Sequence, residues 1–252
     1  MKVGILGVGE VGSAIRKLVR TRHQIFVKDL DRDEIKNQKI NFLHVCIPYT
    51  SRFVSIVKAN IKEINPQLVI IESTVAVGTV RKIFEKTKVP IAHSPLRGMH
   101  PNLLKGLRTF VKFIGPISPL IGKKVAKYYQ DLGLKTKICH SPEETELAKL
   151  LDTTYYAWNI VFCKEVKKLC NQYKVDFKTV YTGFNQTYNQ GYQKLGKPFV
   201  ARPILKPVPG GFGGHCLYEN AKILKSQLGK KFQTIIKPIL KIGKKNAECS
   251  RN

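Results

Sequence analysis

The sequence predicts an α/β protein in two parts: a doubly wound parallel sheet over residues 1–140, then a mainly helical domain with one long central helix over residues 141–252. Three observations predict it. Short apolar runs of strand length alternate with helical stretches through the first part. A glycine-rich turn follows the first run directly. Past residue 140 the strand-like runs stop and helical periodicity continues for about eight turns.

The strand-like runs are residues 3–6, 24–27, 42–47, 68–71, 91–93, 111–114 and 136–139. They are continuously apolar rather than alternating, as strands covered on both faces of a parallel sheet must be. Helical patterns lie between several of them, at 11–20, 52–64, 79–86 and 119–132. Ser141-Pro-Glu-Glu then reads as a helix start, with a serine N-cap, proline at the first helical position and acidic residues in the first turn. Apolar residues from Leu147 to Leu169 recur at helical spacing, which places one helix near 142–173. A second helix is expected near 177–190, an irregular Pro- and Gly-rich loop at 197–214, and a basic helix at 217–228.

Composition narrows the function classes. Apolar residues are 43% and charged residues 24% of the 252, which suits a packed core and argues against wholesale disorder. The formal net charge is +27, from 44 Lys+Arg against 17 Asp+Glu, which favours anionic partners or reflects only a compositional bias of the host. A nucleic-acid partner has that charge alone in its favour, since no basic-aromatic motif accompanies it. No secretory leader and no membrane-length apolar segment is visible, so a cytoplasmic location is expected. The six cysteines (46, 139, 163, 170, 216 and 249) form no CxxC pair and no zinc spacing with histidine. Four of them, at 46, 139, 163 and 170, fit buried thiols on strand or helix patterns.

Two motifs carry chemistry. Gly7-Val-Gly9-Glu-Val11-Gly12 lies between the first strand and the first helix, where glycines allow a tight turn and the helix N-terminus meets a pyrophosphate. Asp29, seventeen residues past Gly12, ends the second strand and is placed to bind the adenosine ribose diol. Together they predict a Rossmann-type dinucleotide site, with NAD favoured because a carboxylate repels a 2′-phosphate. Lys28 and Arg32 keep NADP open. The second motif is Pro209-Gly-Gly-Phe-Gly-Gly-His215-Cys216. Glycines beside a cysteine give a substrate access to sulfur, and a helix start after it lowers a thiol pKa. The plainer alternative is a buried structural thiol.

These blocks, with Val45-Cys-Ile-Pro48, Ser73-Thr74-Val-Ala-Val-Gly78-Thr and Glu146-Leu-Ala-Lys149, and with Glu165 near the acidic end of that last block, resemble the UDP-glucose/GDP-mannose 6-dehydrogenase family in order, over residues 1 to about 228. The resemblance implies NAD-dependent oxidation of a nucleotide-sugar CH2OH through a cysteine-bound thiohemiacetal and thioester. It makes Cys216 the nucleophile, Lys149 the oxyanion partner and Thr74 a neighbour of the nicotinamide and the catalytic water. It assigns the cofactor to Gly7, Gly9, Val11, Gly12, Asp29, Pro48 and Thr74. Three positions depart from the family pattern: Leu96 stands where an acid/base glutamate is usual, Thr153 where asparagine is usual, and Asn220 where aspartate is usual. Glu219 and His100 are the candidate substitutes. The family's C-terminal nucleotide-gripping domain has no counterpart in these residues. A two-electron alcohol dehydrogenase and an impaired NAD-binding regulatory or scaffold subunit are therefore the rival readings. Apolar residues on more than one stripe of the long helix, Tyr155, Tyr156 and Trp158 among them, predict a homodimer.

Overall fold

The computed structural model describes residues 1–98, 101–211, 215–227 and 233–249, and the chain divides into two compact units, Met1–Lys149 and Leu150–Asn252.

The first unit is an α/β sandwich. Strands β1 (Lys2–Leu6), β2 (Gln24–Asp29), β3 (Arg32–Asp33), β4 (Phe42–Val45), β5 (Leu68–Ile71), β6 (Ile91–His93), β7 (Lys112–Pro116) and β8 (Thr136–Ile138) form one sheet in the order β3-β2-β1-β4-β5-β6-β7-β8. Alternate residues of each central strand point to opposite faces, and both faces are covered. Val3, Ile5, Leu68 and Ile70 pack with helices α1 (Glu10–Val19), α4 (Leu103–Thr109) and α5 (Pro119–Asp131). Leu6, Leu43, Val45, Val69 and Ile71 pack with α2 (Phe53–Ile64) and α3 (Thr79–Thr87). This is why the strands read as unbroken apolar runs.

The expected doubly wound sheet is present, parallel through its centre and mixed towards its edges. β1, β2, β4, β5 and β6 run parallel, but β7 is antiparallel to β6, β8 follows β7, and the short edge strand β3 turns back on β2. Apolar periodicity reports burial and carries no sign of strand direction. Helix α4 and strand β3 were also outside the sequence expectation. α4 is only seven residues long, and β3 is two residues of a polar turn.

Helix α6 (Pro142–Gln172) starts in the first unit and continues through the second. After it come a π-helical turn (Lys178–Gly183), α7 (Phe184–Lys194), α8 (His215–Gln227) and α9 (Gln233–Cys249), the last beyond the sequence expectation. Cys163, Cys170, Phe177 and Tyr181 form a small core with Val166 and Leu205, and Ala221 and Leu224 of α8 are buried, as are Ile236 and Ile239 of α9. Cys46 is buried like these two thiols, whereas Cys139 is only half-buried. Among the described residues no helix is long and apolar enough to cross a membrane.

Candidate active site

At the carboxyl edge of the parallel strands the first unit gathers Gly7–Gly12 after β1, Asp29 at the end of β2, Pro48 beyond β4 and Thr74 beyond β5. Direct bonds hold that edge together. The Gly7 N–H donates to the Lys28 carbonyl at 2.8 Å, Val8 N–H to Asp29 Oδ2 at 2.7 Å, and Ser73 Oγ to the Ile47 carbonyl at 2.6 Å.

The glycines meet distinct demands. Gly7 has φ +88°, and a Cβ there would lie 2.9 Å from Ile47 Cγ2. A Cβ on Gly12 would sit 1.9 Å from the Gly7 carbonyl oxygen, so helix and turn approach too closely for any side chain. A Cβ on Gly9 meets nothing within 4 Å. That open side, at the N-cap of α1 where no side chain caps the helix, fits a phosphate held by helix N–H groups. The donor set thus fits a dinucleotide. Of the two cations near Asp29, Lys28 is paired with Asp33 at 2.9 Å and Glu63 at 2.6 Å, and Arg32 with Glu34.

Just past β5, Glu72 centres a buried polar cluster that lay outside the sequence expectation. Glu72 Oε1 accepts from Tyr129 OH at 2.5 Å and faces His44 Nδ1 at 2.9 Å, while Lys112 Nζ donates to Oε2 at 2.5 Å and to the Ser94 carbonyl at 2.6 Å. Burial alone pushes the Glu72 carboxyl up, but Lys112 and His44 outweigh it and hold it at about 2. His93, wholly buried, is pushed down to about 3 by burial; its Nε2 meets the Ser73 carbonyl at 3.1 Å and its Nδ1 meets Thr145 Oγ1 at 2.8 Å. Lys149, half-buried, lies on α6.

In the second unit Lys164 Nζ donates to the carbonyls of Gly210 and Gly211, at 2.5 and 2.7 Å, which ties the start of the second glycine loop to α6. Cys216 is an exposed thiol in the first turn of α8. Phe212, Gly213, Gly214, the side chain of His215, and His100 lie outside the described residues.

The positions that depart from the family pattern are structurally absorbed. Leu96 is a core residue, packed in the cluster with Leu103 and Leu107. Asn220 is buried and its Nδ2 donates to Thr153 Oγ1 at 3.3 Å, so two of the departures contact each other. Glu219 is exposed and paired with Lys222, and Glu165 is exposed and paired with Lys168.

Residues 143–246 match the model of the UDP-glucose/GDP-mannose dehydrogenase family, central domain. Over those residues the chain is similar to that family. A UDP-N-acetyl-D-mannosamine dehydrogenase of Methanococcus vannielii is 30% identical over 172 residues, covering 63% of this chain and 37% of the relative. Among solved structures, the UDP-D-ManNAc dehydrogenase of Pyrococcus horikoshii superposes with TM-score 0.78 at 19% identity, over 96% of this chain and 68% of its own. The 3-hydroxyisobutyrate dehydrogenase of Mycobacterium tuberculosis superposes with TM-score 0.69 at 14% identity, over 94% of this chain and 91% of its own. Both structural likenesses concern the fold. The chain spans less than half of the length of these curated relatives, 33% of one and 48% of another.

Proposed function

We propose that the chain is an NAD-dependent oxidoreductase acting on a CH–OH group of a nucleotide sugar, with Cys216 as nucleophile. One observation carries this reading: a single chain pairs a glycine turn open to phosphate at Gly9 with an exposed thiol, Cys216, inside the matched central domain. The first substrate to test is a UDP-N-acetylhexosamine, the class in the names of its relatives.

Gly7, Gly9, Val11 and Gly12 would hold the pyrophosphate, Asp29 the adenosine ribose, and Pro48 and Thr74 the nicotinamide end. NAD is favoured over NADP because Asp29 is a carboxylate and the neighbouring Lys28 and Arg32 are engaged by Asp33, Glu63 and Glu34. When bound, the cofactor supplies the two-electron acceptor for each oxidation. The CH2OH carbon and its hydroxyl first lose two electrons and two protons to give an aldehyde. The Cys216 thiolate adds to that carbon and the oxygen takes up a proton, forming a thiohemiacetal. Loss of two more electrons and two protons leaves a thioester, and water cleaves it to carboxylate, a proton and the free thiol. Lys149 is the proposed oxyanion partner, from its place in the Glu146–Lys149 block.

A second reading has its own observation. Leu96 is core and Asn220 is tied to Thr153, so the last step lacks the usual carboxylates. A thioester hydrolyses slowly without a base, and the reaction then stalls with sugar on sulfur. Intact-mass spectrometry after incubation with NAD and UDP-N-acetylmannosamine distinguishes the two. A Cys216 adduct that persists, and that Asn220→Asp with Thr153→Asn releases, supports the stalled form. Free enzyme with two NADH per acid formed supports full turnover. No adduct and no NADH with any nucleotide sugar overturns both. We further propose a homodimer through α6, supported by the exposed side chains Leu147, Leu151, Tyr155, Phe162 and Leu169, spaced as one stripe along it.

A further inference from the structure

Three glutamates open α6, at 143, 144 and 146, and only Glu146 is fully buried. Its two oxygens accept backbone N–H groups from one segment: Oε2 from Gly78 at 2.6 Å and Oε1 from Val80 at 2.9 Å. Those amides open helix α3, whose N-cap Gly78 has no side-chain cap of its own. A carboxylate from α6 therefore meets orphan donors at the positive end of α3.

The segment is anchored at its other end as well. Ser73 Oγ donates to the Ile47 carbonyl, and the Ser73 carbonyl faces His93, whose second nitrogen meets Thr145, the residue before Glu146. Residues 73–80, with half-buried Thr74 among them, are thus strung between two anchors that both lead to the first turns of α6. Lys149 stands three residues further along the same helix. We infer that Glu146 is a positioning residue: as a carboxylate it holds the Thr74 segment in register with Lys149, and on protonation it releases one of its two backbone anchors. The catalytic consequence rests on the dehydrogenase reading; the latch itself does not.

The release follows from donor arithmetic. A carboxylate accepts at both oxygens, but a carboxylic acid turns one of them into an O–H that faces an N–H donor. Burial pushes the Glu146 carboxyl up and nearby Glu143 adds to this, while the Val80 and Gly78 N–H groups and Arg81 pull it down; the balance is about 7. The charged groups around it are Arg81 on α3, itself paired with Glu143 at 2.5 Å, and Lys149 on α6; His93 on β6 is neutral at this pH.

The test is the amide NMR signals of Gly78 and Val80 in the full chain, from about pH 5.5 to about pH 8.5, a range that brackets that midpoint. Both should titrate together near neutrality. Glu146→Gln should abolish the titration and hold the segment in its released form. Glu143→Gln, a change at the partly exposed rim, should lower the midpoint, because a like charge is gone and Arg81 is released toward Glu146. Flat signals in the wild type, or an unchanged titration in Glu146→Gln, would overturn the proposal. In turnover of a nucleotide sugar, kcat should fall about tenfold below the midpoint, as losing one charge-assisted hydrogen bond implies, with KM within about twofold. Glu146→Gln should be pH-independent at the lower value. Titrating amides without any turnover would uphold the latch and sink the dehydrogenase reading; turnover without titrating amides would do the reverse.

Discussion

The Glu72 side chain is fully buried, and its three partners are a lysine, a histidine and a tyrosine. Removing its charge leaves Lys112 buried with no counter-ion, so Glu72→Gln should destabilise the protein by about 3–5 kcal/mol in urea unfolding. Adding Lys112→Met should recover most of that loss. A cost under about 1 kcal/mol would mean the cluster is not charged in the folded state. The buried acid and histidine also have opposite pH signatures. Glu146 is raised from 4.5 to about 7, so the folded chain holds its proton more tightly and stability drains as pH rises through that window. His93 is lowered from 6.5 to about 3, so its contribution is present above 6.5 and is lost as pH falls towards 3. Between 4.5 and 6.5 the two oppose each other, and Glu146→Gln should unmask a steeper rise of the urea midpoint with pH than the wild type shows. At the cofactor turn, Asp29→Ala should weaken NAD binding about tenfold by calorimetry and narrow its margin over NADP, a loss on the scale of one hydrogen bond to a charged group. Tighter NADP than NAD in the wild type would contradict this. Gly7, Gly12 and Asp29 were legible because their spacing is local. Glu72 and Glu146 were not, because their partners stand between 28 and 68 residues away and only the fold brings them near.

Helix α6 shows what periodicity can and cannot tell. Its start at Ser141-Pro142 and its length were readable from a cap, a proline and a long apolar recurrence, and the helix runs Pro142–Gln172. The reversal of β7 against β6 was not readable, because an antiparallel strand buried on both faces has the same composition as a parallel one. Along α6 the exposed apolar side chains continue well past what a single packed face needs. Tyr155 is 63% exposed and Phe162 60% exposed. Tyr155→Glu with Phe162→Glu should convert a dimer into a folded monomer in light scattering at micromolar concentration, with the circular dichroism unchanged. A wild type that is already monomeric there would remove the dimer proposal.

At the scale of the molecule, one unit carries a glycine turn open at Gly9 and the other an exposed cysteine, in a chain that spans less than half of the length of its dehydrogenase relatives. The net charge of +27 supplies a general attraction for an anionic substrate, with a strong salt dependence of binding. Cys216 is proposed to perform NAD-dependent oxidation of a nucleotide sugar. The most direct test is NADH formation from UDP-N-acetylmannosamine in the first turnover, followed at 340 nm for the wild type and Cys216→Ser. NADH is read there by the ordinary absorbance of the reduced nicotinamide. Two NADH per active site are expected in the wild type and at most one in Cys216→Ser, because without the thiol the aldehyde cannot be held for the second oxidation. Equal NADH yields from both proteins would contradict it.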